Sequence, residues 1–192
     1  MITAVILAGG ASARFGGQDK GLMCVAGVSL VQRVIDRLAP QVDAIFIIAN
    51  RSQAAYRGTG LRVLADQGCN PGAPLHEGPL AGILTALRNL PSGLLLTVPV
   101  DAALLPHDLA ARMQAAGAPA QVRGVPVCAL LDTRSLPALE QAWAAGERSP
   151  RQCWRALRAA EVAFEDVPER AWSVNDAEQL RELEALLHTA RN

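Results

Sequence analysis

Residues 7–21 read LAGGASARFGGQDKG, a stretch whose residue types handle phosphate. Gly9, Gly10, Gly16 and Gly17 let the backbone approach a ligand closely and turn its N–H groups toward phosphate oxygens. Arg14 and Lys20 add positive charge to the same loop. Together they suit a triphosphate: backbone donors orient it while the two cations neutralise the phosphate being transferred and the one departing. Spacing excludes two familiar phosphate loops. A Walker loop needs G-x-x-x-x-G-K-[ST], whereas Gly17 is followed here by Gln18 and Asp19, and no register supplies the G-x-G-x-x-G of a dinucleotide fold. An ordinary strand-to-helix turn with surface charges is the competing reading of the loop alone.

A second candidate is Asp101, which follows the apolar run 93–98 in VPVDAALLP. A carboxylate at the end of a buried central strand faces the usual ligand crevice and can hold Mg²⁺, an ion that takes hard oxygen ligands and bridges substrate phosphates. The rival reading, a helix N-cap, is weakened because residues 102–105 separate Asp101 from Pro106. His76, His107 and His188 have no convincing Ser-His-Asp or Cys-His partner by spacing. Cys24, Cys69, Cys128 and Cys153 form no C-x-x-C pair, which disfavours a zinc site or a disulfide framework. No histidine or cysteine is expected to be essential.

The elements that must position these groups follow from hydrophobic periodicity. Short Val/Ile/Leu runs alternate with segments of helical period, as in a mainly parallel central sheet with helices on both faces, a three-layer Rossmann-like α/β fold. Strands are expected at 3–7, 44–49, 61–64, 93–98, 125–131 and 162–167. Ser29 suits the N-cap of a helix whose Leu30, Val31, Val34, Ile35 and Leu38 form one stripe ended by Pro40. Further helices are expected from Pro79 to about Leu90 and near 106–116, 135–145, 149–158 and 176–189. The glycine- and proline-rich segment 66–78, DQGCNPGAPLHEG, reads as a long functional loop.

Composition bounds the function. The chain has 192 residues, 51% of them hydrophobic, enough to bury a full core in one domain spanning 1–192. Lys plus Arg equals Asp plus Glu at 18 each, so no global field favours nucleic acid or an anionic membrane. The opening apolar run lacks the positive n-region of a signal peptide, and no stretch approaches the roughly 20 apolar residues of a membrane span. A soluble, cytoplasmic protein is expected.

The arrangement LAGG-x-S-x-R-F-GG-x-DKGL resembles the N-terminal signature of the molybdenum cofactor guanylyltransferases. ANRSQ at 49–53, GPLAGI at 78–83 and SVNDAEQL at 173–180 extend the resemblance over most of the chain in the expected order. It implies transfer of GMP from GTP to the terminal phosphate of molybdenum-molybdopterin, with Mg²⁺ as cofactor and pyrophosphate as leaving group. It places Leu7, Ala8, Gly9, Gly10, Lys20, Asn50, Asp66, Gly78, Pro79 and Asp101 at the GTP site. Arg14, Lys20 and Asp101 take the catalytic roles, with Asp101 as metal ligand. Guanine N1–H and N2–H₂ need acceptors, which Asp66 supplies, while O6 needs a donor, available from Asn50. Without the resemblance, Asn50 reads as a strand-end turn residue and Asp66 as a solvated loop carboxylate. Asn175 is placed on the pterin side, with helix capping as its equal rival.

Enzymes that make molybdopterin and molybdoenzymes that receive the finished dinucleotide are the implied partners. The chain departs from the family at Ala103, where proline is usual, which predicts a looser turn after Asp101. Phe15 stands for methionine, the loop 67–77 looks long, and Asp176-Ala177 replaces Thr-Pro. The rival activities are a molybdenum cofactor cytidylyltransferase using CTP, whose relatives read L-A-A-G, a sugar-1-phosphate nucleotidyltransferase, and a non-catalytic nucleotide sensor.

Overall fold

A computed structural model describes residues 1–9, 19–66, 78–168, 171–174 and 177–189. Strands at the six expected places and one more, β7, form a seven-stranded sheet from β1 (Ile2–Leu7), β4 (Ala44–Ile48), β5 (Arg62–Leu64), β6 (Leu94–Pro99), β7 (Ala120–Val122), β8 (Val125–Asp132) and β9 (Ala160–Val162). Their order across the sheet is β5-β4-β1-β6-β8-β7-β9. The pairs β5–β4, β4–β1, β1–β6 and β7–β9 are parallel, while β8 runs antiparallel to both β6 and β7. The expected α/β class with a mainly parallel sheet is what the chain adopts.

Alternation along β1 explains the layers. Ile2, Ala4 and Ile6 point to one face, where they meet Val31, Val34 and Leu38 of α1 (Leu30–Leu38) and Leu109, Ala110 and Met113 of α4 (Leu109–Ala116). Val5 and Leu7 point to the other, under α3 (Pro79–Arg88), α5 (Leu136–Ala144) and α6 (Pro150–Ala156). α3 carries an unbroken run of buried residues, 80–87, as expected of a helix apolar on all sides and enclosed by sheet and neighbouring helix. The Ser29 hydroxyl accepts from Gln32 N at 3.4 Å, the N-cap expected at the start of α1.

The structure corrects several boundaries. The expected strand 162–167 is β9 ending at Val162: Arg123 N donates to Val162 O at 2.9 Å, and beyond that bond β7 turns into its hairpin and offers no partner. Phe164 instead leaves the sheet and meets Trp172 edge to face, ring centroids 5.2 Å apart. The helix expected from 106 begins at Leu109. Elements too short to show a period were missed: the hairpin of β2 (Cys24–Val25) and β3 (Val28–Ser29), the helix α2 (Gln53–Arg57), and β7. The hairpin turn is made by Ala26 and Gly27, both at positive φ. The closing helix α7 (Ala177–Thr189) is where the periodicity places it. Among the described residues no helix is long and apolar enough to cross a membrane.

Leu84 is fully buried in α3 against the sheet. Leu84→Ala is expected to lower stability by about 2–5 kcal/mol, measured by urea unfolding, because the rigid sheet beneath cannot collapse into the cavity. A loss under 1 kcal/mol would show that this layer is not tightly packed.

Candidate active site

β1, β4, β5 and β6 lie side by side and parallel, so their carboxyl ends open on one edge of the sheet. The ladder continues one residue past the strands: Ala8 N donates to Ile48 O at 2.8 Å, Ala49 N to Leu64 O at 2.9 Å, and Val100 N to Leu7 O at 3.2 Å. Gly9, Asn50, Asp66 and Asp101 therefore leave the sheet along one rim. The chain passes from β1 to β4 and β5 on one side, then crosses to β6 on the other, creating the switch point where ligands enter open α/β sheets.

On the β6 side, Asp101 and Lys20 form an ion pair, Nζ to Oδ2 at 2.5 Å, with side chains 13% and 19% exposed. The same Oδ2 accepts from the Ser173 hydroxyl at 2.8 Å. Ser173 was not foreseen from sequence; only its place at the head of SVNDAEQL could have signalled it. Ala102 and Ala103, in the turn after Asp101, are both buried.

Lys20 opens a short 3₁₀ turn, Lys20–Leu22, and Asp19 caps it by accepting from Gly21 N at 3.3 Å. The Tyr56 hydroxyl of α2 donates to Asp19 Oδ1. Burial, then the Asp19 carboxylate, pushes the Tyr56 phenol far above its ordinary value, so it stays a donor. Gly21 fits because it has no side chain: a Cβ there would sit 2.6 Å from Val100 Cγ2 and closer still to Tyr56 Oη. Asp19, Gly21 and Tyr56 are thus the latch that delivers Lys20 to Asp101, a role that sequence reasoning did not assign.

On the β4–β5 side, Asn50 and Asp66 bond reciprocally. Asn50 Nδ2 donates to Asp66 Oδ2 and Asp66 N donates to Asn50 Oδ1, each at 2.8 Å. Gly82 of α3 lies against them: a Cβ would meet Leu7 Cδ2 at 3.0 Å and Asp66 Oδ1 at 3.2 Å. A Cβ on Gly9 would be 3.9 Å from Asp66 Oδ2. A mid-helix glycine costs about 1 kcal/mol, and that cost was the signal for Gly82 within GPLAGI. Leu7 turns its side chain into the core, so only its backbone can face a ligand, and Ala8 is half-buried. Gly78, at φ 87°, precedes Pro79 at the first turn of α3. Gly10, Arg14 and Asn175 lie outside the described residues, as do Phe15, the loop 67–77 and Asp176.

The arrangement presents a cation and a carboxylate at the β1–β6 crevice and a locked amide–carboxylate pair across β4–β5, suited to a phosphate chain and a hydrogen-bonding base respectively. Cys128 and Cys153 are buried, and burial raises both thiols. His107 contacts Arg37 at the surface. A separate cavity of about 480 Å³, lined by Arg151, Arg155 and Arg158, contains none of the residues chosen from sequence.

Residues 4–163 match the family model described as MobA-like NTP transferase domain. Molybdenum cofactor guanylyltransferase of Shewanella frigidimarina is 38% identical over 191 residues, covering 95% of each chain. The protein of the same name from Serratia proteamaculans is 39% identical over 170 residues, covering 85% of this chain and 84% of that one. Among solved structures, molybdopterin-guanine dinucleotide biosynthesis protein A of Archaeoglobus fulgidus superposes with a TM-score of 0.72 at 17% identity, covering 97% of this chain and 99% of that one. A CMP:2-keto-3-deoxy-manno-octonic acid synthetase complexed with CTP gives a TM-score of 0.69 at 15% identity, covering 98% and 99%. These structural likenesses establish the shared fold.

Gly21→Ala is expected to force Tyr56 and Val100 apart, lowering stability by about 1–3 kcal/mol and weakening nucleotide binding through the displaced Lys20. Thermal unfolding and titration with a fluorescent nucleotide check both effects. Wild-type values in both would show that the Gly21 contact does not position Lys20.

Proposed function

We infer that this chain, which belongs to the MobA-like NTP transferase family, transfers GMP from GTP to the terminal phosphate of molybdenum-molybdopterin, giving the guanine dinucleotide cofactor and pyrophosphate. The observation that carries this reading is the Lys20–Asp101 pair at the end of β6, with Lys20 closing the glycine-rich stretch of the sequence that follows β1. The near-full-length relatives named molybdenum cofactor guanylyltransferase support the choice of guanine and acceptor.

In this reading the triphosphate crosses the switch point. The acceptor phosphate attacks the α-phosphorus in line as the bond to pyrophosphate breaks. The attacking phosphate is largely ionised at neutral pH, so no side chain has to remove a proton. Lys20 exchanges part of its pairing with Asp101 for the phosphate oxygens and neutralises charge there, and Arg14 is assigned the same task. The Asn50–Asp66 pair serves the base, with Asp66 fixed as an acceptor for guanine N–H groups, and Gly9, Gly78 and Pro79 border it. Asn175 is assigned to the pterin side.

Members of this family commonly use a divalent metal, and here we assign Mg²⁺ to Asp101. The donor set fits: Asp101 offers a hard carboxylate at the crevice. That suits an ion completing its shell with substrate phosphates and water. When bound it supplies charge neutralisation on the transferring phosphate. We place the protein in the cytoplasm as one domain, supplied by enzymes that make molybdopterin and serving molybdoenzymes.

With Mg²⁺ and molybdenum-loaded molybdopterin, pyrophosphate release is expected from GTP and not from CTP. Asp101→Asn is expected to lower the rate by roughly 10²- to 10³-fold. Preference for CTP would overturn the base assignment, and an active Asp101→Asn enzyme would overturn the role of the carboxylate.

A further inference from the structure

Ser173 sits in a short segment whose flanking side chains are both anchors. Trp172 is buried in the core beside Phe164, and Val174 is buried with Val25, Leu30, Leu183 and Ala103. Ala103 belongs to the turn that carries Asp101, so the turn and Val174 share one apolar cluster while Ser173 adds a hydrogen bond to the same turn. With Trp172 and Val174 fixed in the core, Ser173 has little freedom to point elsewhere.

Among the described residues both hydrogen bonds to the Asp101 carboxylate end on Oδ2, from Lys20 and Ser173, and none ends on Oδ1. The two donors are not equivalent. The Lys20 ammonium is also the charge that phosphate oxygens attract, whereas the Ser173 hydroxyl is neutral and gains nothing by leaving a carboxylate. We propose that Ser173 is a positioning residue for Asp101: it holds Oδ2 while Lys20 turns to the triphosphate, so that Oδ1 stays presented to the metal. The proposal rests on the reading of Asp101 as the metal-holding carboxylate. A charge-assisted O–H···O⁻ bond is among the stronger hydrogen bonds, and outer-shell partners of metal-holding carboxylates typically affect metal affinity by about 10- to 100-fold.

The test uses the full chain with GTP and no acceptor, so no turnover is needed. The Mn²⁺ concentration that half-saturates the protein–GTP complex is read from the manganese paramagnetic resonance signal. For Ser173→Ala it is expected to rise about 10- to 100-fold, with GTP affinity in chelator unchanged, and Ser173→Thr, which keeps the hydroxyl, is expected to restore it. Ser173→Cys keeps the size but only a weak donor, and it decides the matter if Ser173→Ala fails to fold. An unchanged Mn²⁺ response in whichever of the two folds overturns the positioning role. A response that is the same in wild type and Asp101→Asn overturns instead the reading of Asp101 on which the proposal rests.

Discussion

The placement of β1 between β4 and β6 is the constraint on which the remaining geometry depends. All six residues of β1 are buried, and its backbone is bonded on both sides, so its register fixes two neighbours at once. Leu7 lies opposite Ile48 on one side and Pro99 on the other. A shift of one residue would turn Val5 and Leu7 to the wrong face and separate the strand ends that carry Gly9, Asn50 and Asp101. Core packing and site geometry therefore stand on the same hydrogen bonds.

Strand ends bring groups to a rim, but side-chain direction is set by a further layer of contacts. Asn50 locks Asp66 through a two-bond pair, Tyr56 holds the Asp19 turn from below, and Ser173 reaches Asp101 from the far end of the chain. Each pairing joins residues distant in sequence, and each removes rotamer freedom before a ligand arrives, which lowers the ordering cost at binding. Gly21 and Gly82 serve the same end by leaving room where a Cβ would crowd Tyr56 or Asp66.

Elements long enough to repeat a period were legible: the buried strands, the stripe of α1, the unbroken apolar α3 and the closing α7. Two-residue strands, a five-residue helix and a three-residue strand containing Gln121 hold too few residues for any pattern to emerge. The apolar residues of 162–167 suggested a strand because composition shows that a residue is buried, not which partner buries it. Phe164 is buried by Trp172 and covered by the Arg112 guanidinium at 3.8 Å, with no sheet neighbour at its level.

The sequence by itself determined the fold class and the chemical identities of Lys20, Asn50, Asp66 and Asp101 at the ends of the strands, because these follow from local periodicity, residue type and motif spacing. Tertiary structure alone decided that Lys20 and Asp101, separated by 81 positions, share an ion pair, and that Ser173 completes it from 72 positions beyond Asp101. Such contacts arise where the ends of parallel strands and the returning chain converge. Hydrogen-bond partners across that distance are set by register and packing, and neither is written in the residues that make the bond.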